Sequence, residues 1–146
     1  MMFFAGWYNF PAHDKLAPLL MSGEATITIK EWQVPTLGQR ARDPVEADDG
    51  SIWWAGQFGN LIGRLDPKTG EMVEYPLPGQ ALPHTVVLDQ AGNAWYTGNS
   101  NGTIGKLDPK TGEIVVYNMP DPAAKDPHTA VFDQAGILGS PCSRAT

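Results

Sequence analysis

The side chains most able to do chemistry are two histidines and two acids at matching positions. Pro83-His84 opens the stretch Pro-His-Thr-Val-Val-Leu-Asp-Gln-Ala-Gly, and Pro127-His128 opens Pro-His-Thr-Ala-Val-Phe-Asp-Gln-Ala-Gly, 44 positions on. Asp126 stands two residues before His128, and Asp43 precedes the Pro44 that begins an earlier, diverged copy. Histidine exchanges protons near neutral pH, and carboxylates beside it are suited to ligands and cations. Two readings stand: each imidazole caps the start of an inner strand and bonds to its own backbone, or His84, His128, Asp43 and Asp126 gather to face a ligand.

The elements that must position these residues announce themselves in a repeat. Leu-Asp-Pro-Lys-Thr-Gly-Glu occurs at 65–71 and, letter for letter, at 107–113, 42 positions apart. Its chemistry is that of a tight strand reversal. Asp66 and Asp108 can accept backbone N–H bonds, Pro67 and Pro109 pre-set φ, and Gly70 and Gly112 tolerate positive φ. Turn formation explains every residue, so a Ca²⁺ reading of the Asp, Thr and Glu oxygens is unnecessary. The flanks, Ile62–Leu65 with Met72–Tyr75 and Ile104–Leu107 with Ile114–Tyr117, are rich in β-branched and aromatic residues, as hairpin strands are.

The likeness extends over a whole unit: Gly50-Ser-Ile-Trp-Trp-Ala-Gly56 matches Gly92-Asn-Ala-Trp-Tyr-Thr-Gly98 without a gap. A period of 40 to 45 residues built from four short strands is that of a β-propeller blade. Helical repeats are excluded, because no repeat carries a sustained 3.6-residue apolar period and 16 Gly and 13 Pro punctuate the chain. The expected fold is all-β: an incomplete propeller of four-stranded blades, with about two full blades and partial ones. The expected boundaries are an irregular extension over 1–24, an outer strand over 25–35, blade one over 43–78, blade two over 82–120 and a truncated blade three over 126–146. Strand A of blade one reads as shortened, with six positions from Pro44 to Gly50 against nine from Pro83 to Gly92. Blade three departs from the pattern after Gly136, where the strand B aromatics are missing and the tail reads as a break in the frame. Trp53, Trp54, Trp95 and Tyr96 read as blade core, and Arg42 beside Asp43 as a surface ion pair.

Ten Lys and Arg against sixteen Asp and Glu give a net charge of −6, which argues against nucleic acid as a partner. One cysteine, Cys142, excludes an internal disulfide and reads as an incidental thiol. No run of 18 apolar residues predicts a membrane span. The apolar start, Met1 to Phe10, lacks a basic region before it and a small-residue cleavage site after it, so it reads as no signal peptide, and the cytoplasm is the expected compartment. Open blade edges predict self-association.

On the Ile-Gly-Lys-Leu-Asp-Pro-Lys-Thr-Gly-Glu run, the two Pro-His openings and Gly-x-x-Trp at Gly50–Trp53 and Gly92–Trp95, the chain resembles the streptogramin lyase family over about residues 28–136. The resemblance implies a seven-bladed parent that linearises a small cyclic depsipeptide by elimination at an ester, with Mg²⁺ in the site. It also implies a reacting histidine that opens strand A of a late blade, with one metal-binding glutamate two residues before it and another about fifteen after. Carried onto this sequence, His84 has Leu82 and Asn99 at those places, and His128 has Asp126 and Ser143. Asp126 is the single candidate metal ligand, and no catalytic residue is assigned. The expectation is an inactive fragment of a lyase, binding Mg²⁺ poorly if at all. The alternative is a propeller that binds a small molecule or protein without turnover.

Overall fold

The computed structural model describes residues 28–144, and the expected extension over 1–24 lies outside them. The chain divides into two compact units, Met1–Glu31 and Trp32–Thr146, and every described strand belongs to the second. Twelve strands follow one another with no helix among the described residues: β1 Ala41–Glu46, β2 Ile52–Gly56, β3 Leu61–Leu65, β4 Met72–Pro76, β5 Val86–Leu88, β6 Ala94–Gly98, β7 Thr103–Leu107, β8 Ile114–Asn118, β9 Ala124–Lys125, β10 Val131–Phe132, β11 Leu138–Gly139 and β12 Ser143–Arg144. They build two antiparallel four-stranded sheets, β1-β2-β3-β4 and β5-β6-β7-β8, and two two-stranded ones, β10-β11 and β12-β9. This is an incomplete β-propeller, two blades and part of a third.

Local chemistry closes each blade. In the turn between β3 and β4 the Asp66 carboxylate accepts from the backbone N–H of Lys68 at 2.8 Å, while Gly70, at φ 82°, donates to the Asp66 carbonyl at 2.7 Å. Asp108, Lys110 and Gly112 repeat this between β7 and β8 at 2.8 Å for both bonds. Glycine is needed at the left-handed position because a Cβ there costs about 1–2 kcal/mol.

The blades then stack. An aromatic ring of strand B lies over a glycine of strand C in both: Trp54 over Gly63 and Tyr96 over Gly105, so that a Cβ on either glycine would enter the ring. Between the blades, Trp53, Ala55 and Ile62 of the first pack with Val86, Ala94, Tyr96 and Leu107 of the second in one buried cluster. On the other side of blade one, Gln39 donates to Glu74 at 2.8 Å and accepts from Trp54 Nε1 at 2.6 Å.

Three details differ from the sequence reading. Residues 28–35 form no strand, since no sheet stands beside them among the described residues to supply a ladder. Strand A of blade one is not shortened: β1 begins at Ala41, and between Arg42 and Val45 it bulges, so that Asp43 and Pro44 together stand where one residue would pair with Trp54. Proline has no N–H to give the ladder, and a bulge on an edge strand accommodates it. The tail after Gly136 still takes the place of strand B. Leu138 pairs with Phe132, and His128 donates its backbone N–H to the Pro141 carbonyl, just as Ala94 pairs with Leu88 and His84 donates to Thr97. Backbone pairing survives there without the aromatic side chains.

Candidate functional site

The starts of the three A strands and the turns after the B strands meet at one end of the blades. The residue two before each strand-A opening, Arg40, Leu82 and Asp126, has left-handed backbone at φ 52°, 45° and 55°. Asp43, inside the bulge, is left-handed at φ 41°. Non-glycine residues tolerate this region only where the surroundings fix it, and aspartate tolerates it better than most.

The bulge decides where Asp43 points. Its carboxylate accepts from the Thr85 hydroxyl at 2.6 Å and lies 3.2 Å from His84 Nδ1, so it joins blade one to blade two. The surface ion pair expected between Arg42 and Asp43 does not form; Arg42 instead donates to the Gln57 side-chain oxygen at 3.1 Å. Gln57 is followed at 3.5 Å by Asn99, and the Asn99 amide donates to the Asp126 carboxylate. A line of side chains thus runs across three blades, cation at one end, carboxylate at the other and two amides between. Its charged ends fix its polarity, since the guanidinium can only donate and the carboxylate can only accept.

His84 is buried, at 4 % exposure, and its ring centroid lies 3.5 Å from that of the exposed His128. Burial, then the Arg42 guanidinium and His128, push its basicity below the usual imidazole value against the opposing pull of Asp43. His84 is therefore neutral at pH 7. Its Nε2 is buried with no partner among the described residues. His128 is the imidazole that a molecule arriving at this end would meet. Cys142 lies close enough to Asp126 for that carboxylate, after burial, to raise its thiol above the ordinary value, so it stays protonated.

The four sequence candidates do come to one end of the blades. Asp43 and His84 bond directly, His128 stacks on His84, and Asp126 joins the amide line. Arg42, Thr85, Gln57 and Asn99 complete the cluster. The signal for the amides was present in the repeat: Gln57 and Asn99 are 42 apart and each follows the glycine that ends strand B.

The cluster does not fit Mg²⁺. A hard cation needs several oxygen ligands, carboxylates foremost. Asp43 is taken by His84 and Thr85, Asp126 by Asn99, and the places fifteen residues after Arg42 and His84 hold neutral amides. Among the described residues no three His, Cys, Asp or Glu groups stand together as a metal site. At the far ends of the same inner strands lies an open groove of about 880 Å³, bordered by Trp53, Arg64, Tyr75, Val87 and Phe132. Its Asp49 is held down to about 2 by hydrogen bonds from Ser51 and then by Arg64, which makes it a turn anchor.

Stacked four-stranded blades with histidines and acids at the openings of their inner strands define a β-propeller of the kind that carries its site at one end of the channel. A family model described as the virginiamycin B lyase family matches residues 5–140, and the chain belongs to that family. Among solved structures, selenomethionine-substituted virginiamycin B lyase from Staphylococcus aureus is 29 % identical with a TM-score of 0.71, over 77 % of this chain and 38 % of that one. A catalytically inactive form of the same lyase with quinupristin matches equally. A streptogramin B lyase is 30 % identical with a TM-score of 0.72, over 77 % of this chain and 37 % of that one. The chain thus spans well under half the length of these structures. No curated protein matches. No described helix is long and apolar enough to cross a membrane.

Proposed function

We propose that this chain supplies an arc of blades to a streptogramin-lyase-type propeller, the whole of which linearises a small cyclic depsipeptide by Mg²⁺-dependent elimination. In that reaction a base removes a proton from carbon, the ester C–O bond breaks, the acyl carboxylate leaves and a C=C bond forms. The linear product keeps the mass of its cyclic substrate. In this reading the present blades wall the channel and the reacting blade lies elsewhere in the ring.

One observation carries that division: His84, the histidine whose position matches the reacting one, is shut in beneath His128 and has Leu82 and Asn99 where carboxylates would hold the cation. Asp43 holds His84 instead, as a structural pair between blades. The exposed His128 and the Arg42–Gln57–Asn99–Asp126 line are left to meet the peptide. Amides and a guanidinium are suited to the carbonyl oxygens and N–H groups of a cyclic peptide.

The test is to add quinupristin and Mg²⁺ to the purified chain, following side-chain NMR signals and reversed-phase chromatography with mass detection. Saturable shifts at His128 and Asn99 without a new chromatographic peak are expected. A new peak of unchanged mass would refute the inactivity of the chain, and a product heavier by one water would refute elimination. No shift at millimolar quinupristin would refute the role of these blades in binding the peptide.

A further inference from the structure

The two blades are built alike, yet their corresponding faces meet different surroundings. On blade one, Val45, Trp53, Arg64 and Val73 stand in one cross-strand row, with Ile62 and Tyr75 on the same face. Trp53 stacks on Tyr75 at 5.9 Å, and blade two covers the face so that Trp53 is 2 % and Ile62 0 % exposed. On blade two the corresponding row is Val87, Trp95, Lys106 and Val115, with Ile104 and Tyr117 beside it. Trp95 stacks on Tyr117 at 5.8 Å in the same way. Here only the inner half is covered, by the β10–β11 hairpin, whose Phe132 meets Trp95 edge-on. The outer half is open: Val115 is 41 % and Tyr117 46 % exposed. Beside it, β11 pairs with β10 alone, so its outer edge has no ladder partner among the described residues.

The result is a notch with an apolar wall and a free strand edge. We propose that this notch accepts a β-hairpin in trans, which adds a strand to the β11 edge and lays its apolar side chains on Ile104, Val115, Tyr117 and Trp95. The occupant's chemistry is given by the covered interface: blade one receives β7 and β8, which present Leu107 and Ile114 to the Trp53 cluster. The partner is therefore a strand–turn–strand of that type, with Leu and Ile spaced as at 107 and 114. Strand addition takes affinity from main-chain bonds and selectivity from alternate side chains. Unpaired edges beside apolar walls are where such additions occur. The inference is independent of the lyase reading.

The probe is a synthetic peptide of residues Thr103–Asn118, titrated into the isotope-labelled full chain. Saturable NMR shifts at Leu138, Gly139, Trp95 and Tyr117 are expected, with slowed amide exchange at the β11 edge. Tyr117→Ser and Val115→Ser in the chain are both at exposed positions, and each should weaken binding by about tenfold, the effect of losing one well-packed contact. A peptide carrying Leu107→Ser should not bind. Absence of saturation at millimolar peptide, or equal affinity for both chain variants, overturns the proposal. A concentration-dependent dimer that occupies Trp95 and Tyr117 without peptide also overturns it, assigning the surface to a second copy.

Discussion

Tyr96 and Trp54 occupy the same place in successive blades, and their polar tips are treated oppositely. Trp54 Nε1 donates to Gln39 at 2.6 Å, whereas the residue 42 positions after Gln39 is Ala81, and the Tyr96 hydroxyl has no partner among the described residues. Tyr96 is 1 % exposed, and burial alone raises its phenol to about 12. A buried hydroxyl without a bond costs about 1–3 kcal/mol. Replacing Tyr96 by Phe keeps the ring over Gly105 and removes only that group, so Tyr96→Phe should stabilise the chain by about 1 kcal/mol. Gln39→Ala does the converse: it orphans the Trp54 N–H and removes the donors to the Thr36 carbonyl and to Glu74, which should cost about 2 kcal/mol. Urea unfolding followed by far-ultraviolet circular dichroism measures both, and unchanged m-values would attribute the differences to stability. A Tyr96→Phe variant less stable than the parent by 1 kcal/mol or more would refute the pairing of the two sites.

Other outcomes follow from the same contacts. Gly105→Ala would drive a methyl into the Tyr96 ring, and with both blades packed around it the expected loss is about 3 kcal/mol in urea unfolding. Asp108→Ala removes the acceptor for Lys110 in an exposed turn and should cost about 1 kcal/mol by the same measurement. His84 binds its proton less readily folded than unfolded, so the unfolded chain takes up the extra proton. Stability should therefore be complete above the ordinary imidazole value of 6.5 and fall as pH drops below it, and His84→Gln should flatten that slope in pH-dependent thermal unfolding. The open blade face predicts concentration-dependent association in sedimentation velocity, which Tyr117→Ser should reduce.

The propeller class was legible because two independent signals coincided, the identical turn at 65–71 and 107–113 and the ungapped match of the strands around it. What escaped the sequence was register. Aligning Pro44 with Pro83 suggested a short strand, but the ladder is counted from the turn at Gly50, and the surplus residue is absorbed as a bulge. That bulge sets the left-handed backbone of Asp43 and aims its carboxylate at His84 and Thr85, so adjacency to Arg42 misled. In the tail, the loss of aromatics hid a strand B whose backbone pairing needs none of them. The amide line from Arg42 to Asp126 joins residues of three blades, and only the superposition of the blades brings their turns together. The acids and histidines were found because their types and positions are distinctive; their partners are neutral amides of ordinary kind.

Stacked blades sharing one core are the central claim, and native-state hydrogen exchange tests it most directly. If Trp53, Ala55 and Ile62 share a core with Val86, Ala94, Tyr96 and Leu107, the amides of β2, β3, β6 and β7 will exchange slowly through one common opening. Ile62→Ala in blade one will then lower protection in β6 and β7 as much as in β2 and β3. Protection in β6 and β7 that ignores the substitution would contradict the stack and leave two separate sheets.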